Sequence, residues 1–132
     1  MDAFQAVHES FDRCGEAEGF YDTFYEVFLG KSPEIPPLFA HTDFKNQKLL
    51  LKATVGIMVR NRIDDDRARH ALEHFAETHS RKGLNIRPDL YELWLDSLCE
   101  TVKYHDDAFT SELEQQWRHR MREGIDFIVA RY

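Results

Sequence analysis

Apolar residues recur every three or four positions in six segments, and no stretch sustains a polar/apolar alternation, so the chain predicts an all-α domain without strands. The first helix is read from Asp2 to Cys14, with Phe4, Val7, His8 and Phe11 on one face and Gly15 as its stop. The second, from about Glu16 to Leu29, carries Phe20, Tyr21, Phe24, Tyr25 and Phe28, a face too heavy to be left in water. Gly30-Lys31-Ser32-Pro33 ends it, and Pro33 suits the first turn of a short helix to Phe39 that Pro36 and Pro37 keep short.

Thr42 or Asp43 caps the next predicted helix, Asp43 to about Arg60, whose inner face reads Phe44, Gln47, Leu51, Val55 and Met58. Gln47 is its one polar member. Asp64, Asp65 and Asp66 form an acidic start, favourable to the helix dipole, for a segment that ends at His79. After Ser80-Arg81-Lys82 comes Gly83, a predicted left-handed terminator, and Pro88 opens a helix to about Tyr104 that presents Tyr91, Trp94, Leu95, Leu98 and Val102. The last helix starts at Ser111, with Glu114 completing a capping box, and turns Leu113, Trp117, Met121, Ile125 and Ile128 to one side. No internal repeat or linker interrupts the series.

His79 carries the candidate chemistry. Ala68, Leu72, Phe75 and His79 follow one another at spacings of four, three and four, so the imidazole shares the core-facing stripe. A histidine placed there is either a core residue with a satisfied ring or a ligand to something held in the core. His70 and His74 would offer two metal ligands from a helix surface, but no third matches them. A di-iron bundle would need paired Glu-x-x-His motifs on inward faces, which the chain lacks.

Composition narrows the field. The 132 residues hold one domain, and 42% hydrophobic residues can fill one core. With 17 basic against 24 acidic residues the formal charge is −7, which disfavours nucleic acid and anionic membranes as partners. No apolar run approaches the ~20 residues of a membrane span, and the first residues lack the pattern of a signal peptide, so a cytoplasmic protein is expected. Cys14 and Cys99 are read as reduced packing residues.

In order along the chain, Phe24 to Leu29, Ser32-Pro33-Glu34 and Leu38-Phe39 resemble the second and third helices of bacterial globins, including the globin domain of flavohaemoglobins. In that family a Tyr on the second helix lies above the haem and a Phe fourteen positions later wedges against the ring. A Gln then opens the distal helix, with a Leu four residues after it. Tyr25, Phe39, Gln47 and Leu51 occupy those places. Phe75 to His79 with Gly83, Pro88 and Tyr91 resembles the proximal His motif and the helix after it, and Trp117 falls where the family's last helix carries a Trp. The resemblance spans roughly Phe20 to Ile128. It departs in a shorter corner before Gln47, a loop before Tyr91 about two residues longer, and His119 where flavohaemoglobins have a Glu that works with the Tyr at position 91.

The resemblance implies haem b (iron protoporphyrin) held through His79 as the metal ligand, its other ring nitrogen donating to a nearby acceptor, with Tyr91 the nearest candidate. Tyr25 and Gln47 would donate to a diatomic gas, oxygen by default, with Leu51 limiting access. Phe39, Leu51, Val55, Phe75, Leu84, Ile86, Tyr91, Trp94 and Leu98 would line the ring, and Arg81, Lys82 or Arg87 would pair with a propionate. With His119 at the Glu position the push on iron is expected to be weaker, so reversible gas binding without a catalytic residue is the primary expectation. Two alternatives stand beside it. One is nitric oxide dioxygenation with a separate electron-donating reductase. The other is a gas-sensing or haem-free module that acts through a protein partner, with Ile128 and Tyr132 exposed to form a homodimer.

Overall fold

The computed structural model describes residues 2–60 and 65–132, and among them only helices occur as regular structure. They are α1 (Ala3–Glu16), α2 (Phe20–Leu29), a short 3-10 helix (Pro36–Phe39), α3 (Phe44–Arg60), α4 (Asp66–His79), α5 (Leu90–His105) and α6 (Ser111–Val129). None of these is long and apolar enough to cross a membrane.

Asp2 begins α1 by accepting the Gln5 amide, and the helix runs past Gly15 to Glu16, two residues beyond the sequence expectation. The break falls instead at Gly19, whose φ of 82° is the left-handed conformation that a side chain disfavours, so α2 starts at Phe20 rather than Glu16. The short helix begins at Pro36, not Pro33, because two prolines at its first positions need no hydrogen bond to their nitrogens. Asp43 caps α3 through the Lys45 amide at 3.0 Å. Asp65 caps α4 through the Ala68 amide, with Asp66 in the first turn; Asp64 lies outside the described residues. The cap of α6 is Thr110, which accepts the Leu113 amide at 3.1 Å, so Ser111 is the first helical residue rather than the cap.

The helices pack around one core, with α2 on α5 and α6 against α1, α3, α4 and α5. Phe24, Leu95, Leu98, Val55, Trp117 and Met121 are fully enclosed there. Where α3 meets α6, Gly124 leaves room for the Met58 side chain, whose terminal methyl would lie 2.9 Å from a Cβ there. A polar junction ties α1 to the far end of the bundle. The Trp117 indole donates to Ser10 Oγ at 2.9 Å, Ser10 donates to Asp106 at 2.6 Å, and the Arg13 guanidinium closes on both Asp106 oxygens. Burial pushes the Asp106 carboxyl up, but its bonds from Arg13, Ser10 and the Ala108 amide outweigh that and hold it below the usual range. Cys14 and Cys99 are buried free thiols, each pushed up to about 12 chiefly by burial.

Candidate functional site

At the end of α4 the His79 ring stacks on Phe75, with centroids 3.9 Å apart and planes 18° from parallel. Its Nδ1 lies 2.8 Å from the Phe75 carbonyl oxygen. A carbonyl can only accept, so Nδ1 carries the proton and the neutral ring presents its lone pair on Nε2. Burial pulls the pKa of His79 below its ordinary value, with the Phe75 bond pushing weakly back, so the neutral form prevails at pH 7. A half-buried imidazole with one nitrogen fixed and the other carrying a free pair has the donor chemistry that a metal ion requires.

His79 lines a cavity of about 210 Å³ that is mostly apolar. The same cavity is lined by Tyr25 of α2 and Gln47 of α3. Burial pushes the Tyr25 hydroxyl up to about 12, against a pull from the Gln47 side chain, so the phenol stays protonated and able to donate. Its ring is held edge-on by Phe24, Phe39 and Phe44 at centroid distances of 5.1, 5.8 and 5.4 Å. Phe39 arrives from the 3-10 helix and stacks on Phe44, which explains why a short proline-started turn precedes α3.

The loop after His79 forms the rest of the wall. Ile86 donates its amide to the His79 carbonyl at 3.0 Å, and Leu84 donates to Thr78 at 2.8 Å, so the chain folds back over the end of α4 and brings both apolar side chains to the cavity. Gly83 is required by closeness. A Cβ there would sit 2.2 Å from the Thr78 oxygen, whereas the left-handed residue expected at Gly83 is Asn85, with φ 53°. Tyr132 braces this loop. Its hydroxyl pairs with Asn85, its main-chain oxygen accepts the Arg81 amide at 3.1 Å, and the Arg81 guanidinium lies 4.7 Å from its ring centroid.

A profile of the globin family matches residues 22–128, a span that includes Tyr25, Gln47 and His79. The chain belongs to the globin family. In solved structures it matches a protein of Pseudomonas aeruginosa PAO1 that is described as structurally highly homologous to a human haemoglobin. The two share 40% sequence identity and a TM-score of 0.91, over 99% of this chain and 98% of the other. No curated protein matches it.

The globin gathers at the cavity ten of the twelve residues proposed from sequence: Tyr25, Phe39, Gln47, Leu51, Phe75, His79, Leu84, Ile86, Tyr91 and Trp94. Val55 and Leu98 are not among them. Both are fully buried in the helical core, Val55 because the cavity row of α3 runs through Leu51, Thr54 and Met58, and Leu98 because only the first turns of α5 reach the cavity. Tyr91 makes no hydrogen bond to His79, since the Phe75 carbonyl takes that role; burial pushes its hydroxyl up to about 12. His119 stands in a separate surface groove with Asp2, Phe4 and Arg122, away from the proximal wall. That wall is completed by Ile125 and Ile128, so Ile128 is 3% exposed and is not the dimer contact a sensor would use.

Arg87 is committed to Glu34, at 2.9 and 2.5 Å, and to Asp89, so of the three cations proposed for a propionate only Lys82 is without a partner among the described residues. Sequence reasoning also missed Leu50 and Thr54 on α3, and it placed Met58 on the inner face of that helix without assigning it to the cavity. The Leu49-Leu50-Leu51 run was the available signal, but only Leu51 fell on the predicted inner face.

The residues fit the haem that globins typically hold. Nε2 of His79 offers one nitrogen ligand, aromatic and aliphatic walls suit a flat apolar ring, and three leucines of the lining are left open to water. Leu38, Leu50 and Leu84 are 42, 48 and 60% exposed, surface that a macrocycle edge would cover.

Proposed function

We propose that this globin is a haem protein that binds oxygen or another diatomic gas reversibly. The observation that carries the reading is the fixed tautomer of His79 in a cavity it shares with Tyr25 and Gln47. His79 would hold the group, with Phe39, Leu51, Phe75, Leu84, Ile86 and Trp94 against its faces. When bound, haem supplies an iron with one open position for a diatomic ligand.

The chain's own contribution is polarity and access. Tyr25 keeps its proton and donates toward the gas; the Gln47 amide donates beside it or steadies the phenol. One such bond is worth ~1 to 1.5 kcal/mol, roughly tenfold in release rate. Leu51 narrows the approach. The acceptor behind His79 is a neutral carbonyl rather than a carboxylate, so little extra charge is driven onto the imidazole, which favours reversible binding over redox turnover such as nitric oxide dioxygenation. Two buried free thiols suit a reducing compartment such as the cytoplasm.

The test is a visible spectrum of the purified protein titrated with hemin, reduced, with and without carbon monoxide. One equivalent taken up, with a carbon monoxide adduct that His79→Ala fails to give, is the expected result. Protein that remains colourless after hemin titration would refute the reading.

A further inference from the structure

The charge of this acidic chain is segregated. Residues 44–60 and 80–87, the two segments that border the cavity as α3 and as the loop after His79, carry seven of its 17 basic residues and none of its 24 acidic ones. Some of these cations are neutralised: Lys48 by Asp22, Arg60 by Asp12, Arg87 by Glu34 and Asp89. Lys45 and Lys52 are not. Both are exposed, and neither side chain has a partner among the described residues. Seven positions apart, they lie about two helical turns from one another, roughly 10 Å along the same side of α3. Between them is Leu49, 62% exposed and outside the cavity lining. Asp43, at the start of α3, is the nearest acid in sequence and is occupied with the Lys45 amide and the Asn46 side chain.

Leu49, flanked by two lysines without a partner among the described residues, is left open to water rather than packed into the core. It is not part of the cavity either, but it adjoins it, because the next residue, Leu50, lines the cavity and is 48% exposed. We infer that the Lys45–Leu49–Lys52 face docks an acidic electron-carrier protein, whose carboxylates meet the two lysines and whose apolar centre covers Leu49. The inference rests on the haem reading above, since a ferrous gas binder must be returned to the reduced state by an outside donor. In the step this docking serves, one electron leaves the carrier, which is oxidised, and reduces ferric iron to ferrous; no bond forms or breaks. Charge complementarity suits such short-lived encounters, which need steering more than tight binding.

Reduced and oxidised flavodoxin, a small acidic carrier, serves as the probe. Amide shifts of the isotope-labelled globin on titration at low salt should centre on Lys45, Leu49 and Lys52. Affinity should fall at least tenfold in the Lys45→Glu/Lys52→Glu variant, and also as salt rises past about 0.1 M, where the screening length is about 10 Å. In the hemin-loaded ferric protein the same variant should slow reduction by reduced flavodoxin about tenfold while reduction by dithionite is unchanged. Leu49→Asp, also at the surface, should weaken binding without loss of helix content. No shifts at this face, or an affinity indifferent to the charge reversal, overturns the inference. So does a face occupied by a second copy of the chain, seen as concentration-dependent shifts without flavodoxin, or by phosphatidylserine vesicles that flavodoxin cannot displace. Failure to take up hemin refutes the functional reading, whereas the shift map decides the docking by itself.

Discussion

The proton on Nδ1 of His79 is held by the carbonyl of Phe75, one helical turn earlier, in the same pair whose rings stack face to face. One residue therefore fixes both the tautomer and the orientation of the ring. Shortening it at position 79 removes the only nitrogen that the cavity offers to iron from α4. His79→Gly should lose hemin retention, and millimolar imidazole should restore a carbon monoxide adduct; rescue that fails would place the ligand elsewhere.

The same residue predicts the acid response. A folded-state pKa below the ordinary value means that neutral His79 is the favoured form, and any stability this gives is full above the ordinary histidine pKa and is lost as pH falls toward the folded one. Loss of hemin to apomyoglobin should accelerate as pH falls below the ordinary histidine pKa, because a proton on Nε2 competes with the metal. A rate that stays flat down to pH 5 would contradict this.

Tyr25 should behave oppositely across the neutral range. With its hydroxyl pushed up to about 12, it donates unchanged from pH 6 to well above 9, so oxygen release should show no titration there. Tyr25→Phe should speed release roughly tenfold, and Gln47→Leu by less. Stopped-flow displacement with carbon monoxide measures both, and an unaltered rate in Tyr25→Phe removes the phenol from contact with the ligand.

Asp106 anchors stability far from the cavity. Its carboxylate is enclosed and held below the usual range by Arg13, Ser10 and the Ala108 amide, so its stabilisation is present above the unfolded carboxylate pKa and disappears as pH falls through the folded one. Asp106→Asn should cost about 1.5 to 3 kcal/mol at pH 7, read by urea unfolding. The difference from the parent should shrink below pH ~4. An undiminished difference at pH 3 would mean that packing, not charge, is responsible.

Gly83→Ala tests closeness rather than conformation. A methyl group 2.2 Å from the Thr78 oxygen forces the loop outward, so Leu84 and Ile86 should withdraw from the cavity and hemin should leave faster. Asn85→Gly keeps the left-handed backbone and forfeits only the Tyr132 bond, so it should be the milder change.

How much of this was readable beforehand depended on range. Helical periodicity placed α3, α4 and α6 within a residue or two, because an amphipathic face repeats over several turns. Boundaries set by one backbone angle were less readable: Gly15 and Gly19 look alike in sequence, but only Gly19 turns the chain, and the left-handed conformation expected at Gly83 falls at Asn85. At the cavity, Tyr25, Gln47 and His79 stood out as polar residues on apolar faces. The acceptor behind His79 did not, since a backbone carbonyl has no sequence signature, and neither did Ile125 and Ile128, whose meeting with α4 depends on how two distant helices cross.

The grip of Tyr132 on Arg81 and Asn85 means that the end of the described chain and the segment after His79 share one mechanical fate. A pull at residue 132 would reach Arg81, two positions beyond the imidazole, so a side chain some fifty positions downstream is fastened to the stretch of backbone that leaves His79.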